Sequence, residues 1–310
     1  MITAVAMNPC VDRSVTVDRF AYGKTNLVLS AREDASGKGV NVALVLRQLG
    51  EPVRCVAPLY AAGGEKLQSR LEAEGIPFSF VKAAGRLRCN IKVLDLADQT
   101  LTELNERGTK LDKITTDALY NKILEAAADS RMLVLSGSLP QGVPQDFYLQ
   151  ILRGVKGRVK TVLDTSGAAL EEGLKGLPDV IKPNLEEFSQ LHGRTYRTPE
   201  EIAHDALAMN AAGIETVCVS MGDKGAVMAL RGSAFFAPPL ALPVRGVQGA
   251  GDSMVAGVCF ALERGMNAAD TLRSGVAAAC GSLVRDGTLL CEGEAYHRYF
   301  KKITVSPILP

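Results

Sequence analysis

The sequence predicts an open α/β fold, in which a mostly parallel sheet has helices on both of its faces. Short, near-continuous apolar runs recur along the chain, and such runs are typical of strands that are buried on both faces of a parallel sheet. Longer segments with helical spacing lie between them. Because strand and helix alternate over most of the chain, the helices are expected to cover both sides of one sheet.

The apolar runs that predict strands are Ile2–Met7, Val53–Ala57, Met132–Ser136, Thr161–Asp164, Val180–Lys182 and Val217–Ser220. Helical spacing is clearest from Val42 to Leu49, directly before Gly50, and from Val255 to Leu262. These patterns define the strands and helices of the main sheet.

Two segments break the alternation: Asp12–Arg19 and Arg88–Asn105 mix polar and apolar residues and resemble strands of a hairpin. We expect them to form a small β-sheet lid over one end of the main sheet. The lid would arise from inserts at about 12–22 and 88–106 in a single domain spanning 1–310.

Composition excludes several classes of protein. The chain has 310 residues, 47% of them hydrophobic, and a net charge of +1, so neither a disordered chain nor a nucleic-acid or anionic-membrane binder is expected. The N-terminal residues lack the pattern of a signal peptide, and no apolar stretch approaches the ~20 residues of a membrane span. Seven scattered cysteines without a CxxC pair predict reduced, mostly buried thiols in a cytoplasmic protein.

The most specific motif is Gly249-Ala250-Gly251-Asp252-Ser253, which directly precedes an amphipathic run. Small residues let the backbone approach a ligand, and the N–H groups and dipole of a helix start form an anion site. A carboxylate there would repel a phosphate, so Asp252 suits a proton acceptor for a hydroxyl that attacks phosphorus. The structural alternative is a loop in which Asp252 caps the helix.

Two segments at predicted helix starts are further candidates. Ser36–Asn41, with its Lys and two glycines, could bind a polyhydroxylated or phosphorylated molecule, although a turn and cap explain it equally well. In Lys182–Glu187, Asn184 and Glu187 are three residues apart and could hold a hydrated Mg²⁺, or they could form a capping box.

Ser220–Gly225 and Ser136–Pro140 each follow a predicted strand, where ligands of open α/β sheets bind, but ordinary turns would also explain them. The second is not a GxSxG nucleophile elbow, which argues against a hydrolase. Polar residues in or near the lid are either solvated surface or substrate contacts: Asp12, Lys24, Arg88 and Asn90.

Taken together and in this order, these segments resemble the pfkB family of carbohydrate kinases. SGKGVNVA and QGAGDSMVAG are similar to the two family signatures, and the similarity runs from about Met1 to Val284. Segments between them are also similar: NPCVD, SGSLP, LDTSGAAL, IKPNLEEFSQL and VSMGDKGA. Within the phosphosugar branch, RLRCNIK and TELN resemble 1-phosphofructokinases, LEEFSQLHGR resembles tagatose-6-phosphate kinases, and GTLLC resembles the minor 6-phosphofructokinase.

The resemblance implies a ribokinase-like fold and an ATP- and Mg²⁺-dependent kinase that phosphorylates a ketose monophosphate. Fructose 1-phosphate, giving fructose 1,6-bisphosphate, is the preferred substrate, with tagatose 6-phosphate or fructose 6-phosphate as alternatives. It implies that Asp252 is the catalytic base and that Gly249, Ala250 and Gly251 form the anion hole. The residues implied for the sugar phosphate are Asp12, Lys24, Gly37, Lys38, Gly39, Asn41, Arg88, Asn90 and Ser138. Those implied for ATP are Lys182, Asn184, Ser220, Gly222 and Gly225, with Glu187 on Mg²⁺ through water.

Two other classes are weighed against this expectation. A non-catalytic sugar or nucleotide sensor is disfavoured because Asp252 is retained, and an NAD-dependent oxidoreductase because no GxGxxG follows the first strand. The sequence departs from the family at Ser36, where glycine is usual, and at Val247-Gln248, where Thr-Val is usual. The lid could also pair with that of a second copy in a homodimer.

Overall fold

The computed structural model describes residues 1–308 and contains two sheets. The strands are β1 (Ile2–Ala6), β2 (Cys10–Val17), β3 (Val28–Ser36), β4 (Val53–Ala62), β5 (Phe78–Arg86), β6 (Arg88–Asp95), β7 (Thr100–Leu104), β8 (Met132–Ser136), β9 (Lys160–Asp164), β10 (Val180–Ile181), β11 (Thr216–Ser220), β12 (Ala226–Leu230), β13 (Ser233–Ala237) and β14 (Ser306–Ile308). The helices are α1 (Lys38–Gln48), α2 (Gly64–Ala73), α3 (Lys113–Ala128), α4 (Phe147–Val155), α5 (Gly167–Leu174), α6 (Leu185–His192), α7 (Pro199–Ala211), α8 (Ala250–Glu263), α9 (Ala268–Leu283) and α10 (Gly293–Phe300).

The main sheet has the order β14-β13-β12-β11-β10-β9-β8-β1-β4-β5. Every pair from β5 to β11 is parallel, and β11 to β14 are antiparallel. All residues of β1 and β8 are buried, as their uninterrupted apolar sequences predict for strands covered on both faces. The predicted open α/β fold, with a mostly parallel sheet flanked by helices, is confirmed.

The sheet changes direction of growth at β1. The chain adds β4 and β5 on one side of β1 and then returns to its other side with β8. Crevices for ligands form at such a switch point, beyond the carboxyl ends of the strands. Here those ends are Ala6 and Ser136, which are paired in the β1–β8 register.

The second sheet, with the order β3-β2-β6-β7, is the predicted small β-sheet, and it is called the lid sheet below. It contains one strand that the sequence did not indicate, β3, whose first six residues are all exposed and show no apolar alternation. Residues 18–27 form the connection between β2 and β3 and contain no strand. The lid sheet therefore uses residues 10–17, 28–36, 88–95 and 100–104 in place of the expected 12–22 and 88–106.

The two glycine-rich motifs begin helices instead of preceding them. Helix α1 starts at Lys38, so Lys38, Gly39 and Asn41 lie in its first turn, and α8 starts at Ala250. Helix α8 packs between α1 and α9, and most of its residues are buried. Across residues 1–308, no helix has both the length and the hydrophobicity that crossing a bilayer requires.

Candidate active site

The cleft between the main sheet and the lid sheet contains a buried carboxylate, that of Asp252, in the first turn of α8. Its side chain is fixed by the Asn41 amide, whose Nδ2 donates a hydrogen bond of 2.7 Å to Oδ2. The side-chain oxygen of Asn41, Oδ1, in turn accepts a hydrogen bond of 3.2 Å from the Ser36 hydroxyl. Two motifs more than 200 residues apart in the chain thus meet at one carboxylate.

The pKa of Asp252 is raised from 3.8 to about 6, chiefly by burial and also by the nearby Asp164 carboxylate. The ammonium groups of Lys38 and Lys182 and the hydrogen bond from Asn41 oppose this rise. A carboxylate with a pKa just below neutral is mostly ionised at pH 7 and still a competent proton acceptor, which is what a general base requires.

Asp164 lies at the carboxyl end of β9 and is buried between two lysines. Its Oδ2 is 3.4 Å from Lys38 Nζ and its Oδ1 is 3.4 Å from Lys182 Nζ. The Ser136 hydroxyl donates a hydrogen bond of 3.0 Å to Oδ2. Burial alone would raise the pKa of Asp164, but the two lysines and the serine lower it overall, so this carboxylate stays ionised.

The N-terminus of α8 is open toward the same cleft. By helix geometry, the N–H groups of Ala250 and Gly251 have no carbonyl partner within the helix, so they can donate to an anion. Gly249 caps the helix with a φ of 68°, and a Cβ there would lie 2.3 Å from Leu290 Cδ2, so only glycine fits. A Cβ on Gly251 would lie 3.6 Å from Lys182 Nζ, so this ammonium is adjacent to the helix start.

Lys38 is the more exposed of the two lysines beside Asp164. Its side chain is 40% exposed, whereas that of Lys182 is 7% exposed. The Asp164 carboxylate is the main cause that raises the Lys38 pKa, with smaller contributions from Asp252 and Glu187. Lys38 is therefore a fixed positive charge between these three carboxylates.

The lid sheet contributes a second polar group around Asp12 on β2. Asn90 Nδ2 donates a hydrogen bond of 3.0 Å to Asp12 Oδ1, and Lys92 Nζ lies 3.5 Å from Asp12 Oδ2. All three side chains are buried. The β2–β6 register places Asp12 directly opposite Asn90, so the strand pairing itself builds this cluster.

A cavity of about 130 Å³ lies between the lid residues and the end of β1. It is lined by Ala6, Asn8, Lys38, Gly39, Arg88, Ser136, Gly137, Ser138 and Ser166. Packing also requires a glycine at position 39, because a Cβ there would lie 2.2 Å from the Val5 carbonyl oxygen. The lining is mostly hydroxyl, amide and cationic groups, which suits a small polar anion.

The predicted nucleotide residues lie directly after β10 and at or after the end of β11. Asn184 forms a bridge with Ser220, which joins the end of β11 to the start of α6. Asn184 Oδ1 accepts from the Glu187 N–H and Glu187 Oε2 accepts from the Asn184 N–H, both at 2.8 Å. The structural alternative for this pair, a capping box, is therefore present, and Pro183 directly precedes the cap residue Asn184.

Not every residue that the sequence singled out lines this cavity. Lys24 lies in the exposed connection between β2 and β3, and no contact of its side chain with the cluster is present in residues 1–308. Gly37, with a φ of 124°, packs against Pro9, and Gly225 packs against the Ala237 carbonyl oxygen. Gly222 starts a short 3₁₀ helix after β11 and is exposed.

Asp164, Lys92 and Asn8 belong to the site but were not selected from the sequence. Asp164 ends a predicted strand, and that position alone was a signal, since ligands of open α/β sheets bind beyond strand ends. Asn8 similarly follows β1, and its Nδ2 donates to Ser138 Oγ at 3.2 Å. Lys92 is the last residue of the RLRCNIK segment that resembles 1-phosphofructokinases, but a lysine on a strand is usually exposed, so no role was expected for it.

Comparison with known proteins identifies relatives along the full chain. A family model described as pfkB family carbohydrate kinase matches residues 5–294. A 1-phosphofructokinase from Rhodobacter capsulatus is 34% identical over 311 residues, which cover 100% of this chain and 98% of that protein. A tagatose-6-phosphate kinase from Staphylococcus epidermidis is 31% identical, with 98% and 99% of the two chains covered.

The crystal structure of phosphofructokinase-2 from Escherichia coli in complex with substrates and products is similar in fold. It superimposes with a TM-score of 0.92 at 26% identity and covers 97% of this chain and 98% of its own. The similarity therefore includes the lid sheet as well as the main sheet.

Proposed function

The chain belongs to the pfkB family of carbohydrate kinases, and from that membership we propose that it transfers the γ-phosphoryl group of ATP to fructose 1-phosphate, giving fructose 1,6-bisphosphate. The observation that carries the proposal is the pairing of the buried Asp252 carboxylate with the open start of α8, next to a polar cavity. The full-length similarity to a 1-phosphofructokinase supports the choice of sugar phosphate.

In the proposed reaction, Asp252 accepts the proton of the acceptor hydroxyl as its oxygen forms a bond to the γ-phosphorus. The bond between that phosphorus and the oxygen bridging to the β-phosphate breaks, and ADP leaves with that electron pair. A positioned base of this kind contributes roughly 10²–10⁴ in rate. The hydrogen bond from Asn41 keeps the carboxylate aimed into the cleft.

Charge on the transferred group would be stabilised by the first N–H groups of α8 and by the two lysines. Preorganised donors of this type are worth on the order of 10²–10³ in rate. Lys182 lies beside Gly251, and Lys38 lies between Asp164 and the cavity, so the two lysines can contact phosphate oxygens from two directions. Transfer of this kind depends mainly on positioning and charge.

Mg²⁺ is part of the proposal, and the donor set fits it. Asp164 Oδ1 is buried with no hydrogen-bond donor, and Glu187 is near enough to Lys38 to raise its pKa. In residues 1–308, no cluster of three or more His, Cys, Asp or Glu could enclose a metal, and Mg²⁺ usually keeps its waters and takes one or two carboxylates plus phosphates. When bound, Mg²⁺ would neutralise charge on the triphosphate, with Glu187 held to it through water.

Tagatose 6-phosphate and fructose 6-phosphate remain alternative substrates, and the site geometry gives a reason. In each of these ketoses the free acceptor hydroxyl and the phosphate are on the two terminal carbons. Arg88 and Lys38 line the cavity, and Asp252 is near enough to Lys38 to raise its pKa. A sugar phosphate held by Arg88 could therefore turn either terminal carbon toward Asp252. The similarity to a tagatose-6-phosphate kinase supports keeping this alternative.

A coupled assay of ADP release with fructose 1-phosphate, tagatose 6-phosphate and fructose 6-phosphate tests the proposal. We expect the highest kcat/KM with fructose 1-phosphate and turnover that requires Mg²⁺. A higher kcat/KM with one of the other two would replace the substrate. Binding of all three without ADP release would favour the sensor alternative.

We also propose that the lid sheet joins a second copy of the chain in a homodimer in the cytoplasm. Leu94 and Leu101 are directly paired, partly exposed and on the same face as Asn90, beyond the site. A second lid sheet would cover these leucines. Light scattering of the wild type and of Leu94→Asp tests this: a monomeric wild type would contradict it.

A further inference from the structure

We propose that Arg107 completes a phosphate-binding pocket and sets the preference for phosphorylated over unphosphorylated sugars. The pocket lies next to the 130 Å³ cavity described above, which is called the sugar cavity here. This inference rests on the proposed kinase function. The pocket has a volume of about 320 Å³ and is lined by Arg86, Arg88, Glu106, Arg107, Gly108, Thr109 and Gln141. Three arginines against one glutamate give it a formal charge of +2, so its ligand is an anion.

Arg88 joins this pocket to the sugar cavity, because it lines both. Its guanidinium, however, is already engaged. It donates to the Asn8 carbonyl oxygen at 3.2 and 3.0 Å, to Asn90 Oδ1 at 3.3 Å and to the Glu106 carbonyl oxygen at 3.0 Å. A guanidinium has five N–H donors, so Arg88 has little capacity left for the paired hydrogen bonds that a phosphate accepts from arginine.

Arg107 has the capacity that Arg88 lacks. Its side chain is exposed, and within residues 1–308 it forms neither a hydrogen bond nor an ion pair. Its position is nevertheless fixed through the backbone, since its carbonyl oxygen accepts a hydrogen bond from Asn8 Nδ2 at 3.3 Å. The following residue, Gly108, is held by the Gln141 amide at 3.0 Å. A free guanidinium on a fixed backbone is suited to bind an anion that arrives from the sugar cavity.

The carboxylate of Glu106 occupies part of this pocket. It accepts a hydrogen bond from Arg86 Nη2 at 2.8 Å and one from the Cys89 N–H at 2.9 Å. Both bonds lower the pKa of Glu106, and the one from Arg86 has the larger effect, so Glu106 stays anionic. We expect a dianionic phosphate to replace this single carboxylate on Arg86 and to accept further hydrogen bonds from Arg107, which lines the same pocket.

The test compares wild type, Arg107→Ala, Arg107→Lys and the control Arg298→Ala, in which an exposed arginine paired with Glu294 on α10 is removed. For Arg107→Ala we expect KM for fructose 1-phosphate to rise about tenfold to a hundredfold, the range for hydrogen bonds to charged groups. KM for ATP and kcat/KM for unphosphorylated fructose should stay within threefold, and Arg107→Lys should recover part of the loss. The control should match wild type.

Inorganic phosphate provides a second measurement that does not need turnover. It should raise the thermal midpoint of the wild type more than that of Arg107→Ala, and it should inhibit competitively against the sugar phosphate. An unchanged KM in Arg107→Ala, or non-competitive inhibition, would overturn the inference while leaving the kinase proposal intact. The kinase proposal alone would be rejected if the wild type turned over none of the sugar phosphates and inorganic phosphate still stabilised it more than it stabilised Arg107→Ala.

Discussion

Replacement of Asp252 by asparagine is expected to abolish turnover and to stabilise the protein at neutral pH. Asparagine preserves the size of the side chain, and its carbonyl oxygen can still accept the hydrogen bond from Asn41. It cannot accept a proton from the acceptor hydroxyl, so kcat should fall roughly 10²–10⁴-fold. KM for ATP should change little, since the lysines and helix start are unaltered.

The stability gain follows from the pKa of Asp252, which is about 6 in the folded protein against 3.8 for the free side chain. An acid whose pKa is raised by folding favours the fold at low pH, and this contribution is lost as the pH rises from the unfolded value through the folded one. A difference of about two pKa units corresponds to on the order of 3 kcal/mol above pH 6. Asparagine, which never ionises, avoids that loss.

Urea unfolding of both proteins at pH 5 and pH 8, beside the ADP-release assay, measures the two effects. The stability advantage of Asp252→Asn should widen by about 1–2 kcal/mol between these pH values. The wild-type kcat should rise with pH through about 6 as Asp252 loses its proton. Turnover within tenfold of wild type, or an advantage that does not grow with pH, would refute the reasoning.

Three further substitutions test the surroundings of this carboxylate. Lys182→Met leaves the buried Asp164 with one cation fewer and should cost about 3 kcal/mol in urea unfolding; an unchanged midpoint would contradict the ion pair. Gly249→Ala combines a positive φ with a Cβ 2.3 Å from a leucine, and should lower both kcat and the thermal midpoint, whereas normal kinetics would show that the helix start tolerates a side chain. Gln248→Ala removes the 2.6 Å hydrogen bond to Glu103 of the lid sheet. It should raise sugar-independent ATP hydrolysis about fivefold because the lid excludes water less well, and phosphate release that stays coupled to product would argue against this link.

The sequence predicts the strands and helices that are completely buried. It does not predict exposed strands, or site residues whose partners are distant in the chain. β8 was predicted with its observed boundaries because all five of its residues are buried and all but the final serine are apolar. β3 was missed because its pairing with β2, and not its own pattern, makes it a strand. Asp164 could not be ranked above other strand-end polar residues, since its two lysines come from distant segments.

The hydrogen bond between Asn41 and Asp252 joins residues that are 211 positions apart, and the one between Thr288 and Asp34 spans 254 positions. A chain emerging from the ribosome therefore carries the polar residues of its cleft long before it carries the base. Until α8 has left the ribosome, the polar groups of the earlier segments that are buried in the folded protein remain hydrated. Because such long loops close late, we expect slow folding in which activity appears only with the final packing step.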